Sequence, residues 1–64
     1  MISIIIAEDQ YMLRKAMVQL IEFNDQMKVI EDCGNGVDAF EFIEKYYPDI
    51  AILDIEMPGL TGLE

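Results

Sequence analysis

The chain has 64 residues, thirteen acids against four bases, no histidine, a net charge of −9 and 53% hydrophobic residues. That balance excludes the basic face direct nucleic-acid binding requires; it suits a cation site and a basic partner surface. With Cys33 its one cysteine, the chain offers neither a disulfide framework nor a zinc site, and at this length it buries only about 60% of its unfolded surface.

The apolar run Ile2-Ser3-Ile4-Ile5-Ile6-Ala7 ends in Glu8-Asp9, which predicts a buried strand tipped by carboxylates. No basic segment precedes it and the acids cut it short, so it is predicted to be neither a signal peptide nor a membrane span. Leu13, Ala16, Met17, Leu20, Ile21 and Phe23 then fall at the spacing of an amphipathic helix over about 10–23, with Asp9 as a cap and Asn24-Asp25 as the stop. The methionines on that stripe are expected to fill gaps in the core. Residues 27–33 read as a second strand, less uniformly apolar and therefore an edge strand with a wetter side. Cys33 reads as a core residue suited to a reducing cytosol.

Gly34-Asn35-Gly36 is a turn signal, with Asn35 as an N-cap and Asp38 in the first turn of the helix that follows. Val37, Ala39, Phe40, Ile43 and Tyr47 mark its apolar stripe, and Pro48 ends it. Asp38, Glu41 and Glu44 are expected to form a solvated face.

The run Ile50-Ala51-Ile52-Leu53 leads straight into Asp54 and the turn Met57-Pro58-Gly59. It predicts a third strand buried on both faces, with Asp54 at the carboxyl end, where open parallel sheets bind ligands. One Asp in that position is more often a turn residue than a site. Two carboxylate-tipped strands are not so easily dismissed. As parallel neighbours they bring Glu8, Asp9 and Asp54 together, and such charges repel unless a cation sits among them. Mg²⁺ is the usual ion where a phosphoryl group must also be held. Thr61-Gly62-Leu63-Glu64 matches a capping box and announces a third helix. Strand, helix, strand, helix, strand predicts an α/β fold of parallel strands with right-handed crossovers. Its natural domain size is roughly 100–150 residues, so the chain is expected to be cut mid-domain.

The acidic pair Glu8-Asp9, the acceptor Asp54 and the loop Met57-Pro58-Gly59 with Gly62 together resemble the receiver domain of two-component response regulators. The wording is similar to the NarL/FixJ group, DesR-like regulators among them. The resemblance implies a flavodoxin-like parallel sheet of order 2-1-3-4-5, with residues 1–64 supplying three strands, two helices and the start of a third helix. It makes Asp54 the acceptor of a phosphoryl group from a histidine kinase, and assigns Mg²⁺ to Asp9, Asp54, Glu8 through a water, and the backbone carbonyl of Glu56. It implies a cytoplasmic phosphoacceptor, not a turnover enzyme. Such a module partners a sensor histidine kinase, allows a homodimer, does not insert in membranes and controls transcription through a DNA-binding domain outside these residues.

The sequence departs from many receivers at Glu8 and at Thr61, where Asp is common. The Ser or Thr and the Lys that receivers place after later strands have no counterpart here, because Arg14, Lys15, Lys28 and Lys45 follow no strand in the required place. The 64 residues alone are therefore expected to bind Mg²⁺ but to be a poor phosphoacceptor. The resemblance also makes the strand at 50–54 central, so its edge, left open, is expected to destabilise the fragment or make it associate. A haloacid-dehalogenase-like phosphohydrolase is the alternative enzyme class; it wants a second Asp two positions after the nucleophile, where Glu56 stands. A non-signalling structural fragment is the third reading.

Overall fold

A computed structural model describes residues 1–54. The expected third helix, the Met57-Pro58-Gly59 loop and the Glu56 ligand lie outside the described residues. Strand β1 (Ile2–Ala7) is followed by helix α1 (Tyr11–Glu22), strand β2 (Met27–Cys33), helix α2 (Gly36–Tyr46) and strand β3 (Ile50–Leu53). The strands form one sheet of order β2-β1-β3 with both pairings parallel. The chain moves from β1 to one neighbour, then back across β1 to the other. Right-handed crossovers of that kind put the two helices on opposite faces of the sheet. This is the flavodoxin-like α/β arrangement.

The core lies on β1. Ile4, Ile5 and Ile6 are at most 2% exposed, because β1 has a strand on each side and a helix over each face. Ala7 and its partner Cys33 meet Ala39 of α2 in a small cluster, with Phe40, Phe42 and Leu53 packed around it. Cys33 is thus the core residue the sequence suggests.

The third strand departs from expectation. It was expected to be buried on both faces, yet Ile50 and Ala51 are exposed and Ile52 and Leu53 half-buried. The reason is its place in the sheet: among the described residues β3 pairs with β1 alone. Its lower end is tied to β1 by Asp49, whose Oδ2 accepts from the Ser3 backbone N–H at 2.7 Å and from its hydroxyl at 3.1 Å.

Helix α1 is turned away from its predicted stripe. Leu13, Ala16, Leu20 and Phe23 are exposed, while Arg14, Met17, Val18 and Ile21 are half-buried. Apolar residues occur nearly all round this helix, so packing on the sheet, not composition, selects the inward face. Its N-cap is Gln10, with no side-chain cap bond, so Asp9 does not cap it. Helix α2 follows the sequence more closely: Asn35 Oδ1 accepts from the Asp38 N–H at 2.8 Å. Ala39, Phe40 and Ile43 face inward, joined by Phe42, whereas Val37 and Tyr47 are exposed. Tyr47 closes the helix in the left-handed region at φ 47°, one residue before Pro48.

Candidate metal and phosphoacceptor site

Two backbone hydrogen bonds beyond the ends of the strands build the site. The Glu8 N–H donates to the Cys33 carbonyl at 3.0 Å, and the Asp54 N–H donates to the Ala7 carbonyl at 3.1 Å. Each extends the ladder one residue past its strand and carries Glu8 and Asp54 side by side to the carboxyl edge of the sheet. Asp9 follows directly. One carboxylate oxygen from each of Glu8, Asp9 and Asp54 lies within 4.8 Å of the others.

Glu8 is buried at 6% exposure, Asp54 half-buried and Asp9 exposed, so the cluster opens to solvent on one side. The Gln10 N–H donates to Glu8 Oε2 at 2.9 Å. That bond pulls the Glu8 pKa down, but burial, the hydrogen-bonded Asp9 carboxyl and the charge of Asp54 together outweigh it. The net result is a Glu8 carboxyl held above its ordinary range, the signature of like charges crowded into a partly desolvated space.

The donor set fits a hard divalent ion. Mg²⁺ takes oxygen ligands at about 2.1 Å in an octahedron, which spaces neighbouring ligand atoms about 3 Å apart and opposite ones about 4 Å. Oxygens within 4.8 Å of one another would draw together around such an ion, and the open side leaves room for waters and a phosphoryl group. Of the four residues the sequence suggested as ligands, the fold brings three together; Glu56 lies outside the described residues.

Sequence reading passed over the groups behind the site. Arg14 Nη1 donates to the Glu8 backbone carbonyl at 3.0 Å, and Arg14 Nε lies 2.9 Å from Asp32 Oδ2. The same Asp32 oxygen accepts from Lys15 Nζ at 3.1 Å. The available signal was a cation at position 14 in the i, i+3, i+4, i+7 pattern completed by Met17, Val18 and Ile21. A charge on the inward stripe of a helix must find a partner.

Comparison with known proteins supports the same picture. A family model described as the response regulator receiver domain matches residues 4–64. The chain is 53% identical to the transcriptional regulatory protein DesR of Bacillus subtilis over 64 residues, 100% of this chain and 32% of that protein. A crystal structure of a DNA-binding response regulator of the LuxR family from Staphylococcus aureus superposes with a TM-score of 0.90 at 58% identity, covering 100% of this chain and 53% of that one. The receiver domain of the response regulator NarL from Mycobacterium tuberculosis gives a TM-score of 0.87 at 28% identity over 91% of this chain and 47% of that one. The chain therefore spans about a third of DesR's length and about half of each solved chain. With the sheet order, the acidic edge and these matches in agreement, the chain belongs to the response regulator receiver domain family.

Proposed function

We propose that residues 1–64 are the first part of a receiver domain that accepts a phosphoryl group on Asp54 from the phosphohistidine of a sensor kinase. In the transfer an Asp54 carboxylate oxygen forms a bond to phosphorus as the phosphorus–nitrogen bond to the histidine breaks, leaving an acyl phosphate. The reaction is a single displacement on Asp54, without turnover of a free substrate. Glu8, Asp9 and Asp54 hold Mg²⁺, with the Glu56 carbonyl as a further ligand. When bound, the ion neutralises phosphoryl oxygens that would otherwise be repelled by three carboxylates. The buried Glu8, anchored by the Gln10 N–H, fixes the inner side of the site, while Asp9 and Asp54 face the opening. The output is control of transcription by a part of the protein beyond these residues, in the cytoplasm, with the sensor kinase as partner and self-association as a means of switching.

The observation that carries this reading is the convergence of three carboxylate oxygens within 4.8 Å at the ends of adjacent parallel strands. The full-length protein incubated with acetyl phosphate and Mg²⁺ is expected to gain one phosphoryl group, located at Asp54 by mass spectrometry. Asp54→Asn abolishes the gain, and Asp9→Asn or chelation of the metal slows it at least tenfold. Labelling that persists in Asp54→Asn, or that ignores the metal, refutes the assignment. Residues 1–64 alone are expected to label poorly, because the Ser or Thr and the Lys that complete such sites are not among them.

A further inference from the structure

Arg14 sits where the β1–α1 connection, the end of β2 and the β2–α2 turn meet. Its backbone N–H donates to the Gln10 carbonyl at 2.9 Å, closing the first turn of α1. Its side chain, 16% exposed, reaches back to the Glu8 carbonyl through Nη1 at 3.0 Å and pairs with Asp32 through Nε at 2.9 Å. One residue therefore grips both sides of the loop that carries Glu8 and Asp9 and ties it to β2. The turn is shaped to admit it: a Cβ on Gly34 would stand 2.8 Å from Arg14 Nη1, so the end of the Arg14 side chain would have to shift. Gly34 leaves the space that the guanidinium fills.

We infer that Arg14, seated over Gly34 and braced on Asp32, is a positioning residue that holds the Glu8 backbone so that the Glu8 and Asp9 carboxylates meet Asp54 in metal-binding geometry. This rests on the metal reading above and extends it to a residue that touches no ligand atom. The guanidinium suits the task because one of its N–H groups bonds the Glu8 carbonyl while its delocalised charge rests against the Asp32 carboxylate. Lys15 Nζ donates to the same Asp32 carboxylate; its ammonium neutralises Asp32 without holding the loop.

Partners that orient metal ligands typically change affinity by about 10–100-fold when removed. Arg14 acts on a ligand's backbone, so the lower end of that range applies. In the full-length protein, Arg14→Met is expected to weaken Mn²⁺ binding about tenfold and Gly34→Ala by about threefold, measured as free ion by electron paramagnetic resonance. Both are also expected to speed exchange of the Gln10 amide hydrogen in metal-free buffer, because its bond to Glu8 Oε2 loosens with the loop. Lys15→Met stays within twofold of the unaltered protein in both measurements. If Arg14→Met does not fold, Gly34→Ala decides alone. Should the unaltered protein take up no Mn²⁺, the metal reading fails, and Gln10 exchange in the two variants judges the positioning role by itself. Wild-type Gln10 exchange in the folded variants, unchanged Mn²⁺ affinity in a protein that binds the ion, or an equal effect of Lys15→Met overturns the inference.

Discussion

Ile5 is the point at which the structure commits most sharply to a stability value. Its side chain is fully buried, and it pairs with Glu31 on one side and Ala51 on the other, so it stands in the middle of the central strand. Ile5→Ala removes three carbons, a transfer loss of about 2.5 kcal/mol at about 0.8 kcal/mol per methylene. The strand is held by ladders on both edges and cannot collapse into the space, so a cavity term raises the expected cost to about 3–4 kcal/mol. Leu20→Ala on the exposed side of α1 supplies the contrast, because Leu20 is 72% exposed and its truncation is expected to cost less than about 0.5 kcal/mol. Urea unfolding followed by far-ultraviolet circular dichroism, in a receiver of the length of the Staphylococcus aureus structure, measures both. A cost below about 1.5 kcal/mol for Ile5→Ala, or a similar cost for Leu20→Ala, would refute the placement of the core on β1.

Asn35→Ala removes the acceptor for the Asp38 N–H and should destabilise by about 1 kcal/mol in the same assay. Tyr47→Gly should stabilise by about 0.5–1 kcal/mol, because Tyr47 occupies φ 47° with its side chain almost fully exposed and glycine adopts that conformation without strain. The Ser3 backbone N–H and then the Ser3 hydroxyl hold the Asp49 pKa below its ordinary 3.8. A lowered folded pKa contributes stability above the unfolded value and loses it as the pH falls through the folded one. Asp49→Asn should therefore be less stable than the unaltered protein near neutrality, with the gap closing below pH 3.8; a gap independent of pH down to complete protonation would contradict this. The Glu8 carboxyl is shifted the other way. Metal-free protein should accordingly gain stability from this group as the pH falls through its raised value, and uptake of Mg²⁺ should release protons, detectable as buffer-dependent heat in calorimetry.

Much of the fold was legible because the apolar runs are short, continuous and punctuated. Residues 2–7 and 27–33 could be bounded from Glu8 on one side and Gly34 on the other, and Asn35 declared the start of α2. The candidate site was legible for a related reason: carboxylates at the ends of two apolar runs converge once the strands are parallel neighbours. What the sequence did not reveal depends on neighbours. Helix α1 carries apolar residues on several sides, so only contact with the sheet distinguishes Met17 and Val18 from Leu13 and Leu20. The exposure of β3 follows from its pairing with β1 alone among the described residues; its four apolar residues do not encode that position, and only the receiver strand order implied an open edge there. Arg14 looked like an ordinary surface base until its helix was turned to face the sheet, and Gly34 looked like turn chemistry until the guanidinium occupied its missing side chain.

The order β2-β1-β3 also has a consequence for synthesis. The most deeply enclosed strand is synthesised well ahead of its partners: Met27 opens β2, and Asp49, which grips Ser3, follows that serine by 46 positions. At about 5–20 residues per second, Ile4, Ile5 and Ile6 spend seconds with both edges bare. During that interval the nascent chain presents a sticky aliphatic ribbon, followed by the acids Glu8 and Asp9. A chaperone that engages short aliphatic segments would meet this protein at β1, before Asp54 arrives to complete the acidic edge.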